Sequence, residues 1–280
     1  MGCRSGQRCL PCPTIFSTDL ECGALGMSNL ELMFEVDARG VATLTFNRNE
    51  KGNSYTSQTL SDMHRSIAQV ANDPSVRLLV LRAIGKHFCV GADLSATSTP
   101  QSIGMIDVCM SLYQLSKPSV AMVQGACIGG GVAFISCCDV VLADTKSFFS
   151  IPEVRIGFSP GPLTPFFMRA MGERLVKRYA QTGERFVATD ALRIGLVHQL
   201  VDDENNQKII NTLIEDLLMG APNALSSLKA TLSQVAHQPI TMDLLQALQK
   251  DFDQARTSDE AKEGKQSFLE KRKPNWYRQG

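Results

Sequence analysis

Gln124-Gly125-Ala126-Cys127-Ile128-Gly129-Gly130-Gly131-Val132-Ala133 is the stretch that constrains the fold and chemistry of this chain most strongly. It follows the apolar run at residues 118–123, and a second apolar run comes after it. This order predicts a buried strand, a glycine turn and a buried helix. Successive glycines at a helix entrance leave backbone N–H groups unobstructed, and the helix dipole adds positive potential there. Such a turn can hold a phosphate, or an oxygen that becomes negative during a reaction.

Two further segments share this strand-then-turn character. Residues 86–94 follow the apolar run at 77–82, and residues 150–161 follow the helix that the glycine triplet opens. In this order and at these separations, the three motifs resemble the enoyl-CoA hydratase/isomerase (crotonase) superfamily over roughly residues 30–280. The resemblance implies an α/β fold: a crotonase-like spiral of ββα turns with a C-terminal helical oligomerisation region, assembled as a homotrimer or a dimer of trimers.

The composition is that of a globular chain without a charge bias. Its 280 residues include 28 basic and 28 acidic side chains, and 44% of all residues are hydrophobic. This length and apolar content fit one large domain, or a domain with an appendage. A formal net charge of zero gives no general reason to expect nucleic acid or an anionic membrane as a partner, and no apolar run reaches membrane-spanning length. We therefore expect neither partner.

The nine cysteines fall into two groups. Five lie in apolar segments of the body, and we interpret them as small buried hydrophobes in a reducing compartment, either the cytoplasm or the mitochondrial matrix. Cys9 and Cys12 have the spacing of half a zinc site, but no second pair or histidine partner follows, so no metal site is expected. Residues 1–26 are rich in Cys, Gly, Ser and Pro, and we expect a disordered extension or a targeting segment there.

Strand patterns alternate with helical patterns through the middle of the chain, whereas the last third has helical patterns only. Residues 30–46 predict a hairpin, an amphipathic helix begins near Thr56, and residues 166–180 predict one continuous helix. This organisation predicts a mostly parallel sheet system followed by a separate helical layer. The resemblance implies that these are a crotonase spiral core over residues 27–207 and a helical region over residues 208–280. The resemblance implies that the helical region completes the acyl-CoA site and makes the trimer contacts.

The resemblance assigns a chemical role to two backbone amides, those of Ala92 and Gly130, which would bind the carbonyl of a thioester. Forming a carbanion beside a thioester places negative charge on the carbonyl oxygen, and two fixed donors stabilise that enolate. The alternative is that both residues belong to ordinary strand-to-helix turns; the motifs taken together favour the oxyanion interpretation. The glycine spacing does not fit a dinucleotide-binding GxGxxG, and no Walker lysine follows.

One glutamate is the candidate for acid–base chemistry. Hydratases of the resembled family usually carry two glutamates; the second aligns with Glu153, whereas the first aligns with Ala133, which cannot transfer a proton. A single carboxylate can shuttle one proton between two carbons, or can activate water and return the proton. The alternative for Glu153 is a surface or capping role, but its apolar neighbours favour catalysis and a raised pKa. Ser150 is a weaker candidate that could help to place water.

The resemblance also suggests where an acyl-CoA would bind, since coenzyme A is part of the substrate and no separate cofactor is expected. The early loop, the segment after the oxyanion alanine, the glycine turns and the closing helix supply the candidates Arg48, Lys51, Asp93, Leu94, Gly129, Gly161, Phe268 and Lys271. A turn-capping role for Asp93 is an equal alternative, and Lys271 could simply complement the helix dipole. Residues 95–105 and 158–167 are expected to line the acyl end.

These features predict an enoyl-CoA hydratase that adds water across a 2,3 double bond, with Glu153 as the proton carrier. The segments at residues 153–157, 169–174, 182–186 and 268–274 most resemble the methylglutaconyl-CoA hydratase branch, which acts in leucine breakdown. The rival interpretation is a Δ3,Δ2-enoyl-CoA isomerase, motivated by Ala133. A third is a catalytically weak acyl-CoA-binding protein.

Overall fold

A computed structural model describes residues 30–96, 103–202 and 205–279 of the chain. The expectations for residues 1–26 and for Cys9 and Cys12 lie outside the described residues, as does most of the polar stretch that opens the 95–105 acyl-end segment. Within the described ranges, no helix combines the length and the apolar character that crossing a bilayer requires.

Nine strands form two sheets in the described residues. The strands are β1 (Leu32–Val36), β2 (Val41–Phe46), β3 (Leu78–Ala83), β4 (Ser119–Val123), β5 (Ala126–Ile128), β6 (Val140–Asp144), β7 (Phe148–Ser150), β8 (Phe186–Val187) and β9 (Gln199–Val201). The larger sheet has the order β1-β2-β3-β4-β6-β9, and the smaller has the order β5-β7-β8. Only the β1–β2 and β7–β8 pairs are antiparallel, so the prediction of a mostly parallel α/β fold is confirmed.

Ten α-helices accompany the strands in the described part of the chain. They are α1 (Ser57–Asn72), α2 (Met105–Tyr113), α3 (Gly130–Ser136), α4 (Thr164–Met171), α5 (Glu173–Thr182), α6 (Ala188–Arg193), α7 (Asn206–Met219), α8 (Pro222–Val235), α9 (Met242–Ala255) and α10 (Asp259–Leu269). A strand of the large sheet, a strand of the small sheet and a helix follow one another twice, as β4-β5-α3 and as β6-β7-α4. This is the ββα repeat that the resemblance implies.

The two faces of the large sheet are covered differently. Its inner face packs on a large apolar cluster that includes Phe46, Phe88 and Phe134, each at most 1% exposed. Its outer face packs on α7 through Ile210 and Ile214. In α8 and α9 no side chain is buried, so these two helices lie outside both layers.

The structure corrects three details of the predicted elements. The helix predicted over 166–180 is divided into α4 and α5 at Gly172, whose φ of +79° and ψ of 154° lie far outside the helical region. The helical region predicted over 208–280 does not run to the end of the chain: its last helix, α10, ends at Leu269, and Lys271 adopts a left-handed φ of +54°. Residues 126–128, predicted as part of the glycine turn, form strand β5 and pair with β7.

Candidate active site

Two loops meet at the entrance of α3. The loop that follows β3 pairs with β5 through a bridge between Cys89 and Cys127, and the amide of Ile128 donates to the carbonyl of Cys89 at 2.9 Å. A Cβ atom on Gly91 would lie 3.5 Å from the carbonyl oxygen of Ile128. The segments that carry Ala92 and Gly130 therefore lie side by side, although 38 positions of sequence separate them.

Within the described residues, no hydrogen bond is donated by the amides of Ala92 and Gly130. Tyr55 brackets Ala92 with two backbone hydrogen bonds: its amide donates to Gly91 O at 3.0 Å, and its carbonyl accepts from Asp93 N at 2.9 Å. In a parallel pairing of this kind the amide of the intervening residue points to the opposite side. Gly130 is the first residue of α3, so its amide has no partner within the helix. Two donors are thus available where the loops meet.

The glycine triplet is required by close approaches to other side chains. Gly129 adopts a φ of +55° and a ψ of −117°, a conformation that residues with a Cβ atom rarely adopt. A Cβ atom on Gly129 would lie 2.8 Å from Glu153 Oε1, and one on Gly130 would lie 2.5 Å from the Tyr55 hydroxyl oxygen. The triplet therefore admits a carboxylate and a phenol directly against the backbone at the start of α3.

Glu153 is buried, with 8% of its surface exposed. It begins a short 3₁₀ turn, Glu153–Ile156, directly after β7 and Pro152. Burial raises the pKa of its carboxyl, and a hydrogen bond from its own backbone amide opposes that rise. Among the described residues, nothing hydrogen-bonds to the buried Oε2 atom. Burial argues against the surface alternative, and the carboxyl packs against Gly129 at the start of α3. A buried carboxyl with a raised pKa is of the kind that can transfer a proton.

Ala133 lies on the first turn of α3, where its amide donates to Gly129 O at 3.2 Å. Its side chain is completely buried. A methyl group at this position offers neither a proton nor a hydrogen bond. The site therefore contains Glu153 but lacks the first of the two glutamates that the resembled family usually has.

Two of the predicted substrate contacts are paired with each other. Arg48 donates to Asp93 Oδ2 at 3.0 Å and to Ser54 O at 2.6 Å, and its Nε atom lies 3.2 Å from Glu31 Oε1. Hydrogen bonds from Ser95, and then from Arg48, lower the pKa of Asp93 to about 2. Of the two interpretations of Asp93, the turn-capping one describes the contacts present. The pair fixes the early loop against the loop that carries Ala92.

The remaining predicted contacts are spread over the surface. Lys51 is exposed beside the Arg48 loop, and Leu94 is 74% exposed just beyond Ala92. Gly161 has a φ of +50° and no atom within 4 Å of its Cβ direction. Gly129 and Leu94 thus border the site, while Gly161 lies on the segment that follows Glu153.

The closing helix is anchored elsewhere in the chain. A Cβ atom on Gly264 of α10 would lie 3.3 Å from the ring of Trp276, and the carbonyl of Trp276 accepts from Arg77. Arg77 precedes the amino end of β3, whereas the Ala92 loop follows its carboxyl end. Phe268 is 82% exposed. None of the contacts of α10 among the described residues brings Phe268 or Lys271 to Glu153 of the same chain.

Other polar residues near the loops serve the fold. The Nδ1 atom of His87 accepts from Ala126 N at 3.0 Å, and that of His198 accepts from Val141 N at 3.0 Å. The hydroxyl of Ser150 donates to Gly183 O at 3.0 Å. This bond takes the hydrogen of the Ser150 hydroxyl, and the suggestion that Ser150 helps to place water stays a prediction.

Sequence reasoning missed two residues that shape the site. Asn53 is buried in a left-handed conformation with a φ of +57°. Its side chain accepts from Arg48 N and donates to Ile84 O and His87 O, so it joins the two loops. The Gly52-Asn53 pair was an available signal, since both residues tolerate left-handed backbone. The second residue is Tyr55, for which the sequence offers no local signal.

Comparison with known proteins agrees with this geometry. The sequence pattern of the family described as enoyl-CoA hydratase/isomerase matches residues 37–279. A short-chain-enoyl-CoA hydratase from Clostridium acetobutylicum is 30% identical over 245 residues, which is 83% of this chain and 92% of that protein. A trans-2-decenoyl-[acyl-carrier-protein] isomerase from Streptococcus mutans is 31% identical over 260 residues, 88% of this chain and 97% of that protein.

The fold has counterparts among solved structures. A crystal structure of a crotonase-type protein from Legionella pneumophila superposes with a TM-score of 0.83 at 34% identity. The superposition covers 90% of the present chain and 100% of the Legionella chain. An enoyl-CoA hydratase from Shewanella pealeana superposes with a TM-score of 0.81 at 29% identity, and covers 88% of this chain and 96% of that chain. These similarities confirm the predicted spiral architecture with its C-terminal helical region.

Proposed function

Because the chain belongs to the enoyl-CoA hydratase/isomerase family, we propose that it is a hydro-lyase that adds water across the 2,3 double bond of a short or branched enoyl-CoA. The observation that carries this proposal is the buried Glu153 carboxyl packed against Gly129 at the start of α3. It lies at the start of α3, where Gly130 supplies one of the two proposed donors. Relatives of this chain named short-chain-enoyl-CoA hydratase and crotonyl-CoA hydratase support the same reaction class.

In the proposed reaction, the amides of Ala92 and Gly130 bind the thioester carbonyl oxygen. Water attacks C3 while Glu153 takes one of its protons, and the electrons of the double bond move onto the carbonyl oxygen to form an enolate. Glu153 then delivers the proton to C2, so the product gains one water and no electrons are exchanged. A fixed donor of this kind contributes about 3 kcal/mol to stabilising the enolate.

We place the methylglutaconyl-CoA branch within this proposal as the favoured substrate class. Its support is the resemblance of the segments at 153–157, 169–174, 182–186 and 268–274. A relative named mevalonyl-coenzyme A hydratase, from Aspergillus fumigatus, is 28% identical over 84% of this chain. This similarity supports including a branched acyl thioester among the substrates to be tested. The acyl-CoA would lie across the segments of Lys51, Leu94, Gly129 and Gly161.

A second candidate function is Δ3,Δ2-enoyl-CoA isomerisation, and Ala133 is the observation that favours it. One carboxylate suffices to move a proton between two carbons, and the Streptococcus mutans relative is named an isomerase. An Ala133→Glu variant separates the two: it raises hydration if the missing acid limits that reaction. Its melting temperature must be measured alongside, because Ala133 is completely buried and a carboxylate there carries a desolvation cost.

We further propose that the chain acts as a homotrimer or a dimer of trimers. Helices α8 and α9 bury no side chains within one chain, and they expose Leu228, Leu232 and Phe252 at 53–57%. Isolated helices of this length are marginal in water, so a neighbouring copy is the natural cover for these apolar faces. In such an assembly, Phe268 and Lys271 would complete the coenzyme A site of a neighbouring subunit.

The first test is an incubation with crotonyl-CoA, 3-methylglutaconyl-CoA and 3-hexenoyl-CoA in parallel, with products resolved by mass and chromatography. A gain of one water on either 2-enoyl thioester supports the hydratase, and the faster substrate identifies the branch. Same-mass conversion of 3-hexenoyl-CoA alone would establish the isomerase instead. Binding of all three without conversion would refute catalysis on these substrates and favour the acyl-CoA-binding interpretation.

A further inference from the structure

Tyr55 joins the two loops of the site. Its backbone brackets Ala92 through hydrogen bonds to Gly91 and Asp93, and it directly precedes Thr56, the N-cap of α1. Its ring meets Phe134 of α3 edge-on, with ring centroids 5.6 Å apart. The backbone of Tyr55 is thus fixed to one proposed oxyanion donor, and its side chain is held against the helix that carries the other.

The hydroxyl of Tyr55 faces the glycine triplet. A Cβ atom on Gly130 would lie 2.5 Å from the hydroxyl oxygen and 2.6 Å from Cε1 of the same ring. No hydrogen bond joins this hydroxyl to any residue of the described ranges. Burial, and then the neighbouring Cys89 and Glu153, raise the pKa of the phenol. The group therefore stays protonated at neutral pH and retains a hydrogen to donate.

Two polar groups thus flank consecutive glycines: the carboxyl of Glu153, whose Oε2 is buried without a partner among the described residues, and the hydroxyl of half-buried Tyr55. Glu153 packs its carboxyl against Gly129 and has no hydrogen bond to Oε2 among the described residues. Tyr55 packs its hydroxyl against Gly130, the next residue. A buried polar atom that lacks a protein partner is commonly satisfied by a bound water. One water between the phenol and the carboxylate would satisfy both atoms beside the amides of the site.

We propose that the Tyr55 hydroxyl binds and orients the water that Glu153 activates, in place of the glutamate that Ala133 has replaced. This inference rests on the proposed hydratase function. The water donates one hydrogen to Glu153 Oε2 and accepts the phenolic hydrogen, which leaves one lone pair directed at C3. As the C3–O bond forms, the water O–H bond breaks toward Glu153, which later protonates C2. Tyr55 keeps its own proton throughout, so it needs no second base.

Ala133 offers the water no hydrogen-bond partner, and the phenol of Tyr55 supplies one. A water held by one carboxylate alone can rotate about that single hydrogen bond, and a second fixed group removes this freedom. A neutral hydroxyl also adds no second negative charge beside Glu153. The titratable groups that face the phenol from the packed elements are Cys89, Cys109 and Glu153, and only Glu153 has a carboxylate.

The test is the Tyr55→Phe variant, which removes the hydroxyl oxygen and keeps the ring against Gly130 and Phe134. With the best enoyl-CoA substrate, kcat for hydration should fall by about 10- to 100-fold, which corresponds to one hydrogen bond near a charged group. The KM for the thioester should stay within about twofold, because coenzyme A contacts are unchanged. The matched control is Tyr179→Phe, which removes a hydroxyl from a core residue that is 2% exposed and whose ring stacks on Phe186. Its kcat should equal that of the native protein.

A second measurement does not depend on turnover. The carboxyl of Glu153 is titrated by carbon-13 NMR in glutamate-labelled protein, with its resonance assigned by its loss in Glu153→Gln. Removing the phenol weakens the hydrogen bond from the shared water to the carboxylate, so the Glu153 pKa should shift upward in Tyr55→Phe and stay unchanged in Tyr179→Phe.

The outcomes separate this inference from the proposed function. If native protein hydrates enoyl-CoA and Tyr55→Phe does so equally well, the role of Tyr55 is refuted while the hydratase stands. If native protein hydrates none of the three thioesters, the hydratase proposal fails, and the titration alone decides whether Tyr55 and Glu153 share a water. An unshifted Glu153 pKa in Tyr55→Phe overturns the inference in either case.

Discussion

Replacing Gly129 by alanine tests the contact that defines the site. The new Cβ atom would lie 2.8 Å from Glu153 Oε1, whereas ordinary contacts begin near 3.4 Å, so the carboxylate must retreat by about 0.6 Å. Misplacement of a catalytic group by about 1 Å can lower a rate about 100-fold. The backbone conformation, with a φ of +55°, also disfavours alanine by about 1–3 kcal/mol. We expect Gly129→Ala to lose hydration by about 10- to 100-fold and to unfold more readily.

Gly172→Ala is the matched control for backbone strain. Gly172 has a φ of +79°, and no atom lies within 4 Å of its Cβ direction. Its replacement should therefore cost a similar 1–3 kcal/mol of stability without moving Glu153. The assay compares initial hydration rates and urea unfolding for both variants and native protein, at a temperature where all three are folded.

The two variants should thus agree in stability and differ in activity. If Gly172→Ala loses as much hydration as Gly129→Ala, the loss reflects strain alone. If Gly129→Ala retains native kcat, the carboxyl of Glu153 does not act from the position described. Either result would refute the argument that glycine is needed there to admit the carboxylate.

Three further predictions concern single groups. Glu153→Gln should lower kcat by about 10²–10⁴-fold with acyl-CoA affinity retained. Because burial raises the Glu153 pKa, the native protein loses stability as pH rises through that raised value. In thermal unfolding, the variant should therefore be the more stable protein at neutral pH but not at acidic pH. Hydrogen bonds from Ser95 and Arg48 lower the pKa of Asp93 to about 2, so the stability it contributes is lost as pH falls from its usual pKa through that value, and Asp93→Asn should flatten the acid-unfolding curve. Leu228→Glu with Leu232→Glu should convert a trimer to monomers in sedimentation velocity, since both residues are more than half exposed on α8.

Much of the site could be predicted because its parts are local in sequence. The glycine triplet lies directly between a strand and a helix, and Glu153 follows Pro152 among apolar residues. Such signals require only short stretches of chain. The structure then brings the two loops together by strand pairing between Cys89 and Cys127, which a predicted parallel arrangement already implies.

The missed features depend on contacts between distant parts of the chain. The Arg48–Asp93 pair spans 45 positions, so no short stretch of sequence shows that these two predicted substrate contacts pair with each other. Tyr55 follows a polar loop, and its importance comes from Gly130, far along the sequence. The division of the predicted 166–180 helix at Gly172 is a different kind of miss: a helix tolerates an isolated glycine, and only the observed conformation shows that this one ends it.

At each glycine of the triplet, a different neighbouring group leaves no room for a side chain. A Cβ atom on Gly129 meets the carboxylate of Glu153, one on Gly130 meets the phenol of Tyr55, and one on Gly131 meets the carbonyl of Cys89 at 2.8 Å. The first neighbour is proposed to carry the proton, the second is proposed to orient the water, and the third belongs to the loop that leads to Ala92. The groups proposed for proton transfer, water placement and enolate binding therefore all pack against the triplet. Replacing one glycine should impair the function of its own neighbour first, so the three alanine variants should differ in whether proton transfer, water placement or enolate binding is lost.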